Sequence, residues 1–191
     1  MAVARALPQP PVTGGFARDL EKESGVKLVA CFQCQKCSSG CPVAADADIR
    51  PHEVIRLAQF GARDELLSSR LIWECTSCGT CEARCPQGVD LPAIIDALRR
   101  LSRDAGRVTP DTTLPVFNDV FLAIVRQTGR IYELGLMAAF KLRTRRFGED
   151  MGKVPMMLRK GKLALLPAFV RGRGERKRIF RRAKDKEGSK R

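Results

Sequence analysis

Apolar residues recur at helical spacing in two stretches, each following shortly after a Cys-Pro pair. In "DIRPHEVIRLAQFG" (48–61), Val54, Leu57 and Ala58 share one face of a 3.6-residue period. Asp48 is placed to cap this helix and Gly61 to end it, and Pro51 sits in the first turn, where its missing N–H costs nothing. In "DLPAIIDALRRLSRDAG" (90–106), Ile94, Ile95, Leu98 and Leu101 form the inward stripe, with Asp90 as cap and Gly106 as stop. Placing Pro51 on Pro92 brings Val54 onto Ile95 and Leu57 onto Leu98, which predicts an internal pseudo-two-fold.

Between these stretches, "ARDELLSSRLIWEC" predicts a helix running directly into Cys75. Downstream, "TPDTTLPVFNDVFLAIVRQTG" and "RIYELGLMAAFKLRT" predict two helices separated at Gly129, and "GKVPMMLRKGKLALLPAFV" one or two shorter ones around Pro155 and Pro167. Their apolar residues, Met137, Met156 and Met157 among them, serve either to cover the core or to dock a partner. No alternating pattern of strand type has useful length, so the fold class is mostly α. The expected organisation is a flexible lead (1–26), a cysteine-rich helical domain (27–106), a helical extension for partner docking (107–170) and a basic, disordered tail (171–191).

Two runs carry the chemistry. "CFQCQKCSSGCP" places Cys31, Cys34, Cys37 and Cys41 before Pro42, and "CTSCGTCEARCP" places Cys75, Cys78, Cys81 and Cys85 before Pro86. Both fit C-x2-C-x2-C-x3-C-P, the spacing of paired [4Fe–4S] clusters. Three cysteines two residues apart can wrap a loop around one cubane, each thiolate taking one iron. The fourth points away and, in two-cluster proteins, ligates the other cluster. The expected ligand sets are therefore crossed: Cys31, Cys34, Cys37 and Cys85 on one cluster, and Cys75, Cys78, Cys81 and Cys41 on the second.

This assignment uses all eight cysteines and leaves no thiol for catalysis. Zinc is the alternative, but zinc sites typically use two C-x2-C pairs and need neither a third cysteine nor the proline. Lys36, Arg50, Arg70 and Arg84 lie near the motifs and either offset cluster charge or simply face solvent. His52, the single histidine, reads as an exposed first-turn residue or as a group tuning a cluster, and Trp73 as a packing residue. No Gly-rich nucleotide fingerprint is present, so flavin and nicotinamide belong elsewhere, and the chain is read as an electron conductor without a small-molecule substrate.

Charge changes this picture only at the C-terminus. The 191-residue chain has a net charge of +14, of which +8 falls in residues 171–191, with eleven basic and three acidic residues. That segment reads as a solvated end or as a dock for an acidic partner surface; nucleic acid is a minor alternative, because basic and aromatic residues are not interleaved. No secretory signal and no span of about 20 apolar residues is evident. The expected location is the cytoplasm, a reducing compartment in which clustered cysteines favour metal over disulfides.

With 33 residues between the motifs, room for two helices, the chain resembles the α-helical ferredoxin module rather than the compact bacterial ferredoxin. Among its carriers it is most similar to the C-type subunit of heterodisulfide reductase, through the doubled motif and more weakly through "TGRIYELGL" and "VPMMLRKGKLALLP". The resemblance implies a protein passing electrons between a flavin-containing A-type subunit and a Cys-Cys-Gly-containing B-type subunit. A membrane quinone-linked oxidoreductase is the alternative setting, and a zinc-structured nucleic-acid-binding module the alternative from another class.

Overall fold

The computed structural model describes residues 15–107, 113–145, 152, 154–161, 164 and 166–188. The first 14 residues of the expected lead therefore lie outside the described part. Among the described residues all regular structure is helical. The chain divides into two compact units, one up to Thr112 and one from Thr113 onward.

The first unit holds α1 (Gly15–Ser24), a 3₁₀ turn (Leu28–Ala30), α2 (Lys36–Ser39), α3 (Pro51–Gln59), α4 (Arg63–Leu67), α5 (Leu71–Glu74), α6 (Thr80–Ala83) and α7 (Leu91–Asp104). Its core is the pair of stripes read from the sequence: Val54, Leu57 and Ala58 from α3 meet Ile94, Ile95 and Leu98 from α7, with Leu66, Leu67 and Ile72 filling between. Leu101 is only partly buried at the edge of this core. Burying a leucine or isoleucine side chain contributes about 1.5–3 kcal/mol, so these stripes account for much of what holds the unit together.

Three local expectations change. The lead is structured from Gly15 on, because Leu20 is fully buried and Glu23 receives a 2.7 Å hydrogen bond from Arg100 Nε on α7. The helix expected to run into Cys75 is broken at residues 68–70, where Ser68 Oγ donates back to the Asp64 carbonyl and leaves α4 and α5 as separate turns. Asp48 does not cap α3; that end is closed by Glu53, whose carboxylate accepts from the Arg50 N–H at 2.6 Å.

Instead, Asp48 reaches across the fold to the start of α5. Its carboxylate accepts from Arg70 N–H (2.7 Å), Leu71 N–H (3.0 Å) and the Ser69 hydroxyl (3.0 Å), and so serves donors left over at the break. Asp90 caps α7 as expected, accepting from Ala93 N–H at 2.9 Å. Gly61 and Gly106 end α3 and α7 with positive φ, as expected.

The second unit contains α8 (Leu114–Thr128), α9 (Glu133–Thr144), α10 (Val154–Arg159) and α11 (Arg173–Gly188). Phe117 packs edge-on against Phe140 to join α8 and α9, at a centroid distance of 5.8 Å. The basic segment expected to be disordered is helical. Arg176 of α11 donates to the Arg126 and Gln127 carbonyls at the open end of α8, at 3.0 and 2.8 Å, where a cation also meets the negative end of the helix dipole. Gly129 keeps that approach open, since a Cβ there would come within 2.6 Å of the Arg176 guanidinium.

Candidate cluster-binding site

Both motif loops are wound by left-handed residues at matching places. Gln33 (φ 56°) and Gln35 (φ 62°) in the first correspond to Ser77 (φ 51°) and Gly79 (φ 74°) in the second, at the same positions relative to the cysteines. Three of the four are not glycine, each holding a conformation that costs about 1–2 kcal/mol. These reversals fold three closely spaced cysteines around one side of the loop. The single turns α2 and α6 start directly after the second reversal and carry Cys37 and Cys81.

The loops meet at a small cavity lined by Cys31, Cys34, Cys37, Cys81 and Cys85, with Phe32, Ile55, Val89 and Leu91 as its apolar walls. The structure thus brings the leading three cysteines of the first motif together with the last cysteine of the second. Cys41, Cys75 and Cys78 do not line this cavity. No disulfide joins any of the eight, and among the described residues no three Cys, His, Asp or Glu side chains converge on one metal ion.

The donor set fits an iron–sulfur cubane, which takes one thiolate per iron and so asks for a ring of sulfurs wider than a single ion does. The cavity measures about 20 Å³, enough for about one water, so seating a cluster moves the sulfurs apart. N–H groups already point at sulfur: Gln33 donates to Cys31 Sγ from its backbone (3.5 Å) and its side chain (3.3 Å), and Val89 N–H donates to Cys85 Sγ at 3.3 Å. Such bonds lower the cost of negative charge on ligating sulfur.

Burial works in the opposite direction on the thiols. It pushes Cys81 up to about 11, with the nearby Cys75 and Cys37 sulfurs raising it further, and it also raises Cys37, beside Cys31. The influence of Cys37 on Cys81 marks how close the two motifs lie. Cys78, fully exposed, is lowered by its hydrogen bond with Thr80. Buried thiols of this kind ionise when a metal supplies compensating charge.

His52 is half-buried rather than exposed. Its Nδ1 lies 2.7 Å from the Ser38 hydroxyl, its carbonyl accepts from Gln33 Nε2, and burial lowers its basicity. It therefore links α3 to both ends of the first loop. Arg84 crosses from the second motif to Gly40, where a Cβ would come within 2.5 Å of its guanidinium. Trp73 is buried as a packing residue, with Arg103 over its ring at 5.4 Å. Sequence reasoning missed Gln33, Ser38, Gln59 and Arg99, whose partners are backbone and side-chain groups in and around the motif loops; only the doubled motif, which says where loops must be held, could have pointed to them.

Residues 30–90 match the family of 4Fe-4S dicluster domains, which makes this an iron–sulfur domain of the dicluster class. Over the same part of the chain the relatives are C-type subunits of heterodisulfide reductases, as the resemblance in the motifs implies. The chain is 33% identical over 95 residues to the C-type subunit of the H(2):CoB-CoM heterodisulfide,ferredoxin reductase of Methanothermobacter thermautotrophicus, covering 50% of this chain and 51% of the relative. It is 36% identical over 86 residues to the iron-sulfur C-type subunit of the CoB-CoM heterodisulfide reductase of Methanopyrus kandleri, covering 45% of each. It is 32% identical over 90 residues to the C-type subunit of the Ferredoxin:CoB-CoM heterodisulfide reductase of Methanosarcina mazei, covering 47% of this chain and 55% of the relative. The aligned stretch therefore spans about half the length of these relatives. Among the described residues no helix is long and apolar enough to cross a membrane.

Proposed function

We propose that the chain is the electron-transfer component of a heterodisulfide reductase-like complex, with two [4Fe–4S] clusters lying between a flavin-containing subunit and a cysteine-rich catalytic one. The observation that carries this reading is the meeting of Cys31, Cys34 and Cys37 with Cys85 at one cavity, in a domain of the dicluster class. Cys75, Cys78 and Cys81 with Cys41 form the second ligand set. When bound, each cluster supplies reversible one-electron uptake. The chain supplies the rest: Ile55, Val89 and Leu91 keep water from one side of the site, and the Gln33 and Val89 N–H groups stabilise charged sulfur. Phe32 and Val29, 69% and 81% exposed beside the first motif, give a redox partner an apolar surface close to the ligands.

The second unit offers a dock of a different kind. An open groove of about 1590 Å³ between α8 and α11 is lined by seven basic side chains and one carboxylate, with Leu122, Phe169 and Phe180 among its apolar residues. A cylinder about 10 Å across and 15 Å long, roughly ten residues of helix, fits that volume. The groove thus suits an acidic amphipathic helix of a partner protein. Arg173, Lys177 and Arg181, one turn apart on α11, are its main cationic row. Glutamate at all three is expected to weaken the complex about tenfold or more and to abolish most of its salt dependence, measured by binding to the purified partner at several ionic strengths. Arg176, which fastens α11 to α8, is left intact in this test.

The function itself is tested by anaerobic purification of the tagged chain from its own cells, with mass spectrometry of what accompanies it. The expected companions are a flavoprotein and a Cys-Cys-Gly protein. Recovery of a membrane quinone-reactive protein instead, or of no redox partner, would overturn the heterodisulfide reductase-like assignment.

A further inference from the structure

We propose that Gln59 and Arg99 set the two cluster sites at different potentials, so that an electron rests preferentially on the cluster held by Cys75. The proposal builds on the two-cluster reading above. Three residues before the first cysteine of each motif lies a backbone carbonyl, Leu28 in one half and Ile72 in the other. Each carbonyl accepts a hydrogen bond from a long side chain on the helix that follows the motif. Gln59 Nε2 of α3 donates to Leu28 O at 2.8 Å, and Arg99 Nε of α7 donates to Ile72 O. With Pro51 placed on Pro92, Gln59 falls one position from Arg99. The same backbone task is thus performed by a neutral amide in one half and by a cation in the other.

Holding the carbonyl needs no charge, as Gln59 demonstrates. Arg99 does more than hold it: Nη2 also donates to the carbonyl of Cys75 itself, at 2.5 Å, which fixes a positive charge against the backbone of a ligand residue. The far edge of the guanidinium, Nη1, pairs with Asp96 at 2.9 Å. That carboxylate is 52% exposed against 24% for the arginine, so water screens it more, and the positive edge faces the motif. Glu74, beside Cys75, has Arg70 at 3.9 Å as its own counter-charge. Near the first motif, Lys36 is exposed and Glu53 is engaged at the start of α3. Arg84, lying against Gly40 between the motifs, is shared by both halves. Arg99 is therefore the partly buried cation that distinguishes one site from the other among these groups. A fixed positive charge favours the reduced, more negative cluster and raises its potential. Arg99 acts through Cys75 and is a positioning residue.

The test is a reductive titration, followed by electron paramagnetic resonance, of the full chain with its clusters in place. Arg99→Gln is expected to lower one of the two potentials and leave the other where it is. Gln59→Arg is expected to raise the other one, so that the double variant reverses the order. Arg99→Lys is expected to retain most of the wild-type separation. Asp96→Asn, which leaves the hydrogen bonds of Arg99 to the loop in place, is expected to raise the potential that Arg99→Gln lowers, and it keeps the test valid if Arg99→Gln fails to fold. Potentials that stay put in Asp96→Asn and in a fully loaded Arg99→Gln, or that shift equally at both clusters, would overturn the proposal. Iron and sulfide analysis of the same samples separates this failure from that of the parent reading: a wild-type chain loaded with one cluster only would overturn the two-cluster assignment itself.

Discussion

Alanine at Cys85 is expected to remove the same cluster as alanine at Cys34, although the two residues belong to different motifs. The reasoning is geometric: Cys31, Cys34, Cys37 and Cys85 line one cavity, which Cys41, Cys75 and Cys78 do not reach. Each single variant should lose about half of the iron, because a cubane missing one of its four thiolates is not retained while the other cluster keeps its full set. The pairwise variants make the assignment unambiguous. Cys34→Ala with Cys85→Ala should lose no more iron than either alone, since both act on one cluster. Cys78→Ala with Cys85→Ala should lose nearly all of it, since they act on two. This is the additivity logic of double-mutant cycles applied to a stoichiometry. Iron and acid-labile sulfide, measured on anaerobically purified chains, provide the readout. If the Cys78–Cys85 pair lost only half and the Cys34–Cys85 pair lost everything, ligation would run within each motif and not across them.

The second large effect is expected at Asp48. Its carboxylate gathers the Arg70 and Leu71 N–H groups and the Ser69 hydroxyl, at a break where the backbone cannot satisfy itself. Alanine there strips the cap from α5 and leaves a buried Leu71 N–H with Ser69 Oγ, at 3.1 Å, as its remaining partner. Loss of a cap costs about 0.5–2 kcal/mol, and further unsatisfied donors bring the expected total to about 2–3 kcal/mol. Asparagine, which keeps an acceptor oxygen, should recover about half of it. Urea denaturation of the loaded chain measures the difference, and a loss below about 0.5 kcal/mol would mean that water replaces the carboxylate. Because α5 leads directly into Cys75, Asp48→Ala should also shed the iron of the second ligand set before that of the first.

Asp48 also shows where sequence reading reaches its limit. The doubled C-x2-C-x2-C-x3-C-P spacing and the stripes on α3 and α7 are local patterns, and they were legible because cluster loops and amphipathic helices are both built from residues close in the chain. Asp48 precedes a helical stripe, which makes it look like the cap of that helix. Its real partners lie more than 20 residues on, at a helix break that no propensity in "LLSSRLIW" announces. The left-handed conformations at Gln33, Gln35 and Ser77 were equally hidden, since only Gly79 among the four matching positions has the residue type that signals one. Arg99 and Gln59 look like ordinary polar residues of amphipathic helices until the fold sets them on equivalent carbonyls. The helical order of residues 173–188 rests on Arg176 meeting the end of α8, a contact about 50 positions away that composition alone, rich in Arg and Lys, does not convey.

The central claim is that the two motifs hold two [4Fe–4S] clusters, and the most direct measurement is the metal and sulfide content of the full chain isolated without air. The account predicts a brown protein containing about eight iron and about eight sulfide per chain, whose colour bleaches on reduction with dithionite. A colourless chain containing zinc, or one saturating at about four iron, would contradict it.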